Sequence, residues 1–232
     1  MLALSVLVQI AEYLIYVSIP ILAIYVGYLI VTKAFNYMGF SSIEAVIIVF
    51  GSFILGAGFL DKYIGFNISS IYLFSYNNWI VGINIGGAII PVILSIYLII
   101  KSKLSKKHVL ISVLIVSIIT FFVTRPVLNK GIVSSFPYWL LPALFASLTS
   151  VFLLRKDFSK AAPLAYVSGT IGVLIGADFL HMPELLSHEI ELPISAIIGG
   201  AIVFDMVFMI GILAVLLDGI ILYKQKLKQG FS

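Results

Sequence analysis

Two aspartates, Asp178 and Asp205, stand inside long apolar stretches of this 232-residue chain. A charged side chain at the centre of a lipid bilayer costs about 2.5–3.5 kcal/mol on insertion scales, so each is a candidate for function. Asp205 falls near the middle of its stretch, and Asp178 falls nearer to one end. Such acids can take up a proton or a cation, and two that share a site can activate water. A buried neutral carboxylic acid that bonds a backbone carbonyl is the purely structural alternative.

One amide and four glycines accompany these acids. Asn84 lies just before the pair Gly86 and Gly87, and Gly199 and Gly200 form a second pair. Asn84 is a candidate to line a binding site or to hydrogen-bond between helices. Glycine pairs let helix backbones approach closely. We expect packing or bending to be their first role and a cavity or gate to be the minority interpretation.

The side chains around Asp178 could bind a divalent metal, because His181, Glu184 and His188 follow it. Spacings of three place the first members on one helical face. We nevertheless expect no metal and no cofactor, because Pro183 interrupts the predicted helix and a polar cap needs no ion. The three histidines all lie near loops, so they cannot provide paired haem ligands inside a bundle.

The composition predicts an integral membrane protein. Hydrophobic residues make up 62% of the chain and charged residues 10%, with a mean hydropathy of +1.19, whereas soluble domains carry about a quarter charged residues. The 14 basic residues fall in short gaps between apolar runs, as they do in membrane loops, so we expect no nucleic-acid partner. The absence of cysteine excludes disulfides and thiolate sites.

Seven apolar runs are long enough to be transmembrane helices, each of which needs about 20 residues. A capping box of Ser41 and Glu44 is expected to open the second helix. The predicted spans are residues 13–32, 43–60, 79–100, 109–124, 138–154, 163–180 and 194–223.

The basic residues also predict an orientation in the membrane. If the C-terminus is cytoplasmic, 11 of the 14 lysines and arginines fall on the inner side. Because inner loops carry the excess of Lys and Arg, we expect a multi-pass protein of the cell membrane with its N-terminus outside and its C-terminus in the cytoplasm.

The sequence contains an internal repeat. Residues 54–61 (ILGAGFLD) resemble residues 174–181 (LIGADFLH), and IGGAI occurs at both 85–89 and 198–202. A proline that lies 13 residues before a basic residue precedes the first motif of each copy. Gly58 and Val92 occupy the positions of Asp178 and Asp205 in the first copy. The repeated fold therefore does not itself require the two acids.

These motifs predict one all-α transmembrane domain, residues 1–232, with a parallel 3+1+3 duplication. Repeat 1 covers about 13–101, a linker helix about 108–125, and repeat 2 about 138–224. The copies are four spans apart, so both have the same orientation. Duplicated transporters contain parallel repeats of this kind, related by an axis along the membrane normal.

The chain resembles an uncharacterised archaeal and bacterial membrane family, Domain of Unknown Function 1614. The resemblance runs over most of the chain and rests on NIGGA at 84–88, TRP at 124–126, GVLIGAD at 172–178 and GGAIVFD at 199–205. It implies a prokaryotic source and brings no assigned activity.

A weaker resemblance is to the GxGD intramembrane aspartyl proteases, which place one aspartate on each of two adjacent helices, as Asp178 and Asp205 are placed here. Ile175 departs from the GxGD motif, and the Pro-Ala-Leu triplet at 142–144 precedes the acids instead of following them. The 3+1+3 arrangement is similar to that of SWEET sugar transporters in architecture alone, and architecture does not imply function.

We expect a small transporter or permease with Asp205 as the midplane ionisable group, Asp178 as the outer acid and Asn84 as a lining residue. The alternative is an aspartyl protease-like membrane enzyme in which Asp178 and Asp205 are catalytic. A non-catalytic membrane subunit is the third interpretation. The expected partners are the lipid bilayer and a small solute, ion or proton. An oligomeric state is compatible with all three functional interpretations.

Overall fold

The computed structural model describes residues 2–128, 131–155, 157–200 and 206–230. This part of the chain is predominantly helical, which confirms the predicted all-α class in its main features. The helices are α1 (Leu2–Tyr37), α2 (Ser42–Gly56), α3 (Phe59–Ile64), α4 (Ile90–Lys101), α5 (Lys106–Val123), α6 (Leu141–Leu153), α7 (Ala161–Val173), α8 (Leu180–Ser187) and α9 (Met206–Gly230). Short 3-10 turns cover Tyr138–Leu140 and Phe158–Lys160.

Three helical stretches are long and apolar enough to cross a membrane, namely Ile15–Tyr37, Lys106–Val123 and Ala161–Ser187. Shorter apolar helices cover Ser42–Gly56, Ile85–Lys101, Tyr138–Leu153 and Met206–Ile221. Together these stretches overlap the seven predicted spans. They are compatible with a membrane protein by length and composition.

Two predicted spans begin as strands and not as helices, which corrects the prediction. The third begins as β2 (Trp79–Asn84) and the seventh as β5 (Ile194–Ile198). Both segments are rich in Ile, and β-branched residues fit a pleated surface well. The backbone groups with which β2 and β5 face each other are paired, which satisfies them in an apolar interior.

These strands belong to a three-stranded sheet in the order β1-β2-β5, where β1 is Ser70–Tyr76. A tight turn at Asn77 and Asn78, both with positive φ, joins β1 to β2 in an antiparallel hairpin. The β2–β5 pair is parallel, from Trp79 opposite Ile194 to Ile83 opposite Ile198. The fourth span ends in a second hairpin, β3 (Thr124–Val127) with β4 (Gly131–Ser134).

Local signals place the start of α2 as predicted. The Ser41 hydroxyl accepts a hydrogen bond from the Glu44 backbone N–H at 3.2 Å, and the Glu44 carboxylate accepts one from the Ser41 N–H at 2.7 Å. This reciprocal pair is the capping box expected from the sequence.

The core is built around α7, in which every residue except Ile171 is buried. Helices α5, α6 and α9 pack against it. In contrast, α1 exposes most of the apolar residues whose side chains the structure describes, whereas Thr32, Ala34 and Phe35 near its C-terminal end are buried.

Two turns of π-helix interrupt the regular helices. The first π-turn, Ile85–Ile89, joins β2 to α4, and the second π-turn, Leu174–Phe179, joins α7 to α8. Pro183 lies inside α8, which corrects the expectation that it interrupts the helix. Proline has no backbone N–H. In a regular α-helix, an N–H at position 183 would bond the carbonyl oxygen of residue 179, and Phe179 is the last residue of the second π-turn.

Candidate functional site at the glycine junction

Asp178 lies in the second π-turn and is only 9% exposed. Its Oδ2 atom accepts a hydrogen bond of 2.7 Å from the backbone N–H of Gly199, the residue that follows β5. Single π-turns are frequently found at functional sites. The acid therefore joins an irregular helical turn to the end of a strand.

Gly199 in turn packs on the first π-turn. A Cβ atom added to Gly87 would collide with the carbonyl oxygen of Gly199, and one added to Gly199 would come within 2.5 Å of the Ala88 Cβ. Gly199 also has a φ of +80°, a backbone conformation that other residues rarely adopt. The two chain segments therefore meet backbone to backbone, which only glycine allows here.

Asn84 is 2% exposed and is the last residue of β2. Its Oδ1 accepts a hydrogen bond of 2.7 Å from the Gly87 N–H, so that Asn84 caps the first π-turn. Its Nδ2 donates to the carbonyl oxygen of Gly56, at the end of α2, at 3.0 Å. The side chain thus makes the hydrogen bond between elements that its position suggested.

Gly86 packs in a different direction from Gly87. An added Cβ on Gly86 would meet the carbonyl oxygen of Ser52 and lie 2.8 Å from the Gly56 Cα. The first glycine pair therefore contacts α2 with one member and the end of β5 with the other. We call the set Asn84, Gly86, Gly87, Asp178 and Gly199 the glycine junction.

Gly200 continues the turn that follows β5, with a φ of +70° and a hydrogen bond of 3.2 Å from its N–H to the Ile197 carbonyl oxygen. Asp205 lies outside the described residues, in the gap between residues 200 and 206. Of the acids predicted for the site, Asp178 is therefore the one that the described chain places in the junction.

A buried acid was missed by sequence reasoning. Asp218 is not among the candidates named from the sequence, yet it is 0% exposed. Its Oδ1 accepts a hydrogen bond of 2.8 Å from the Ser150 hydroxyl, which also lies 2.8 Å from the Ser147 carbonyl oxygen. One feature indicates this burial: Asp218 lies four residues after Ala214, so the two residues share one helical face, and Ala214 is buried.

Two other acids lie near the ends of the bundle and are held by local hydrogen bonds. The hydroxyl of Ser69 and the backbone N–H groups of Ile68 and Ser69 bind Asp61 and lower the pKa of its carboxyl. The Lys160 ammonium and the Ser159 hydroxyl lower the pKa of Asp157 in the same way. These contacts organise loops.

The candidate metal ligands that follow Asp178 make other contacts. His181 is buried, stacks on Phe121 with 4.5 Å between ring centroids, and places Nε2 3.1 Å from the Phe121 carbonyl oxygen. Its Nδ1 is 3.5 Å from the exposed carboxylate of Glu184. Within the described ranges, no three His, Cys, Asp or Glu side chains cluster as a metal site would need.

The family of the chain follows from a sequence match over most of its length. A family model described as "Protein of unknown function (DUF1614)" matches residues 61–217. The chain belongs to this family. The matched region of this DUF1614 member contains the whole glycine junction, and the match confirms the resemblance seen in the sequence. It lends no support to the resemblance to GxGD proteases. No curated protein and no solved structure matches the chain.

Proposed function

We propose that this protein is a small membrane transporter or permease, in which a proton, an ion or a small solute passes at the glycine junction. The observation that carries the proposal is the buried Asp178 carboxylate, bonded to the Gly199 N–H where two chain segments meet through bare backbone. Acids in membrane segments that face a protein interior commonly mark ion pathways and proton relays.

The broken spans support this proposal. The third and seventh predicted spans are extended in one part and helical in the other. Transporters commonly build their binding sites where membrane helices are discontinuous, because unwound backbone exposes N–H and carbonyl groups to a substrate. Non-helical backbone at membrane depth is tolerated where protein buries it or where it lines a water-filled cavity.

The proposed duplication fits the same picture. In each copy a strand is followed by a glycine pair and then by a helix: β2, Gly86–Gly87 and α4, and β5, Gly199–Gly200 and α9. Equivalent strands of two copies that share one orientation would run parallel, as β2 and β5 do. We propose seven membrane crossings in a 3+1+3 arrangement, with the N-terminus outside and the C-terminus in the cytoplasm.

Each polar residue has a role in this scheme. Asp178 would be the outer acid that accepts and releases a cation or proton, and Asp205 would be the midplane acid. Asn84 would hold the first π-turn in place beside the path, with its amide oriented by Gly87 and Gly56. The glycines would permit the close approach on which the site depends.

Asp178→Asn tests the proposal, because asparagine still offers an oxygen to the Gly199 N–H but cannot ionise. Purified protein in liposomes, with a pH-sensitive dye inside and an imposed potassium diffusion potential, should show proton flux above that of protein-free vesicles. We expect Asp178→Asn to reduce this flux at least tenfold. Asp157→Asn, which changes a loop acid outside the glycine junction, should leave the flux unchanged. Equal flux in wild type and Asp178→Asn would reject a role of Asp178 in transport.

The same variants separate the alternative functions. An aspartyl protease that uses Asp178 and Asp205 would cleave a transmembrane reporter peptide, and Asp178→Asn would abolish the cleavage. Such an enzyme requires one water molecule to touch both carboxyls, hence a separation of a few ångströms and not more than about 8 Å. A non-catalytic subunit would retain its cellular phenotype when both acids are neutralised.

A further inference from the structure

A cleft of about 480 Å³ opens where the loop after α4 lies beside the loop after α6. Three cationic side chains line it, Lys103, Arg155 and Lys160, and His108 from the first turn of α5 lies next to them. Asp157 is the one acid in the described lining. The cleft lies on the side of the bundle to which the sequence assigns most of the basic residues.

The positive charge of this cleft is only partly compensated. Asp157 pairs with Lys160, at 2.8 Å between Oδ2 and Nζ. Within the described part of the chain, Lys103 and Arg155 have no acidic partner. The Arg155 guanidinium instead stacks on Phe152, 4.2 Å from the ring centroid. Stacking of this kind preorganises the planar fork that binds a phosphate through two hydrogen bonds.

Ser105 is a further donor that lines the same cleft. It precedes α5, but its side chain makes no capping hydrogen bond with the helix. The Ser105 hydroxyl can therefore donate to an oxygen of an anion bound between Lys103 and Arg155.

The remaining wall of the cleft is apolar and comes from Phe152, Leu153 and Leu154 at the end of α6. A free anion would gain nothing from this wall. A phospholipid matches both parts, since its phosphate meets the basic rim while its acyl region lies against the apolar side chains. Basic pockets between membrane helices are typical sites for anionic headgroups.

We propose that this basic cleft, lined by Lys103, His108, Phe152, Leu154, Arg155 and Lys160, binds the phosphate-bearing headgroup of an anionic membrane lipid. Arg155 would hold the phosphate through its fork, and Lys103 would provide the second charge. The site is separate from the glycine junction and does not depend on transport.

Binding can be measured on the full chain purified in a zwitterionic detergent. Native mass spectrometry and thermal unfolding would be followed while phosphatidylglycerol, phosphatidylcholine or sodium phosphate is added. Phosphatidylglycerol should bind and raise the unfolding midpoint, whereas phosphatidylcholine and millimolar phosphate should not. Arg155→Gln and Lys103→Gln should each weaken phosphatidylglycerol binding about fivefold, the effect of one basic side chain near an anionic surface.

Lys62→Gln is the matched control, because Lys62 is an exposed lysine in α3, outside the cleft. Its binding should equal that of the wild type, and Arg155→Lys, which keeps the charge but not the fork, should lie between wild type and Arg155→Gln. Equal affinity for the two lipids, or an equal loss in Lys62→Gln, would overturn the proposal. Displacement of phosphatidylglycerol by millimolar phosphate would assign the cleft to a small anion and would also overturn it.

Discussion

The carbonyl oxygen of Gly199 occupies the position that a Cβ atom on Gly87 would need. Gly87→Ala should therefore force the end of β5 away from the first π-turn. Insertion of a methyl group into a well-packed site typically costs about 1–3 kcal/mol, and a backbone neighbour cannot move aside as a side chain can. We expect a loss of this size or larger in the free energy of unfolding, measured by denaturant titration in detergent.

Gly27→Ala is the control for this substitution. Gly27 lies in α1, and an added Cβ would meet no atom within 4 Å. Alanine in a helix interior is favoured over glycine by about 0.5–1 kcal/mol, so this variant should be slightly more stable than the wild type. Equal stability of the two variants would show that the glycine junction is not closely packed.

Asn84→Ala should destabilise the protein because it leaves two buried groups without partners, the Gly87 N–H and the Gly56 carbonyl oxygen. Each buried polar group that loses its partner costs about 1–3 kcal/mol. The measurement is again the free energy of unfolding. Ser18→Ala, which removes an exposed local hydrogen bond to Ile15, should change it by no more than about 0.5 kcal/mol. A similar small effect of both variants would contradict the capping role of Asn84.

Asp218 and Ser150 form a buried pair, and substitution of each should change the free energy of unfolding differently. Asp218→Asn keeps an oxygen that accepts the Ser150 hydroxyl and removes an ionisable group from the interior, so we expect a change within about 1 kcal/mol or a gain. Ser150→Ala deprives the buried Asp218 oxygen of its donor and should cost about 1–3 kcal/mol. The double variant should not show additive effects, because the residues are in direct contact. Additive losses would mean that the bond contributes nothing.

The loop between α3 and β1 should lose its protection against amide hydrogen exchange at acidic pH. Hydrogen bonds from Ser69 and the Ile68 N–H lower the pKa of Asp61 from its ordinary value of 3.8. The Asp61 carboxyl has a lower pKa in the folded protein than in the unfolded chain. The stabilisation is therefore fully present at pH values above the unfolded-state pKa, and it is lost as the pH falls through the folded-state pKa. Hydrogen exchange of residues 65–69 should therefore accelerate in that acidic range, beyond the intrinsic pH dependence of exchange.

Asp61→Asn provides the comparison for that experiment. The amide cannot titrate, so the exchange of the loop should be faster at neutral pH and should show no additional change in acid. A wild-type loop that stays protected through the acidic range would contradict the role assigned to the Asp61 carboxylate.

The apolar helices could be predicted because runs of this length and hydropathy have few structural solutions. The capping box of Ser41 and Glu44 is likewise a local pattern with a local cause. The strands were not predicted. A short apolar run such as β2 has no polar residues at regular spacing, and hydropathy alone does not distinguish a buried strand from a helix.

The sequence named the residues of the glycine junction as candidates but could not predict their contacts. Asp178 and Gly199 are 21 positions apart, and they meet because β5 is extended and carries Gly199 to the second π-turn. No local pattern indicates this. The burial of Asp218 also depends on distant structure, because α6, which carries Ser150, packs against α9.

The parallel pairing of β2 with β5 has a mechanical consequence. Five residue positions of the two strands face each other, and separating them would leave backbone groups without partners in an apolar surrounding, at several kcal/mol for each group. Pulling the two parts of the chain apart along these strands is therefore costly. In the proposed transporter, we expect the opening to form beside this strand pair and not between its two strands.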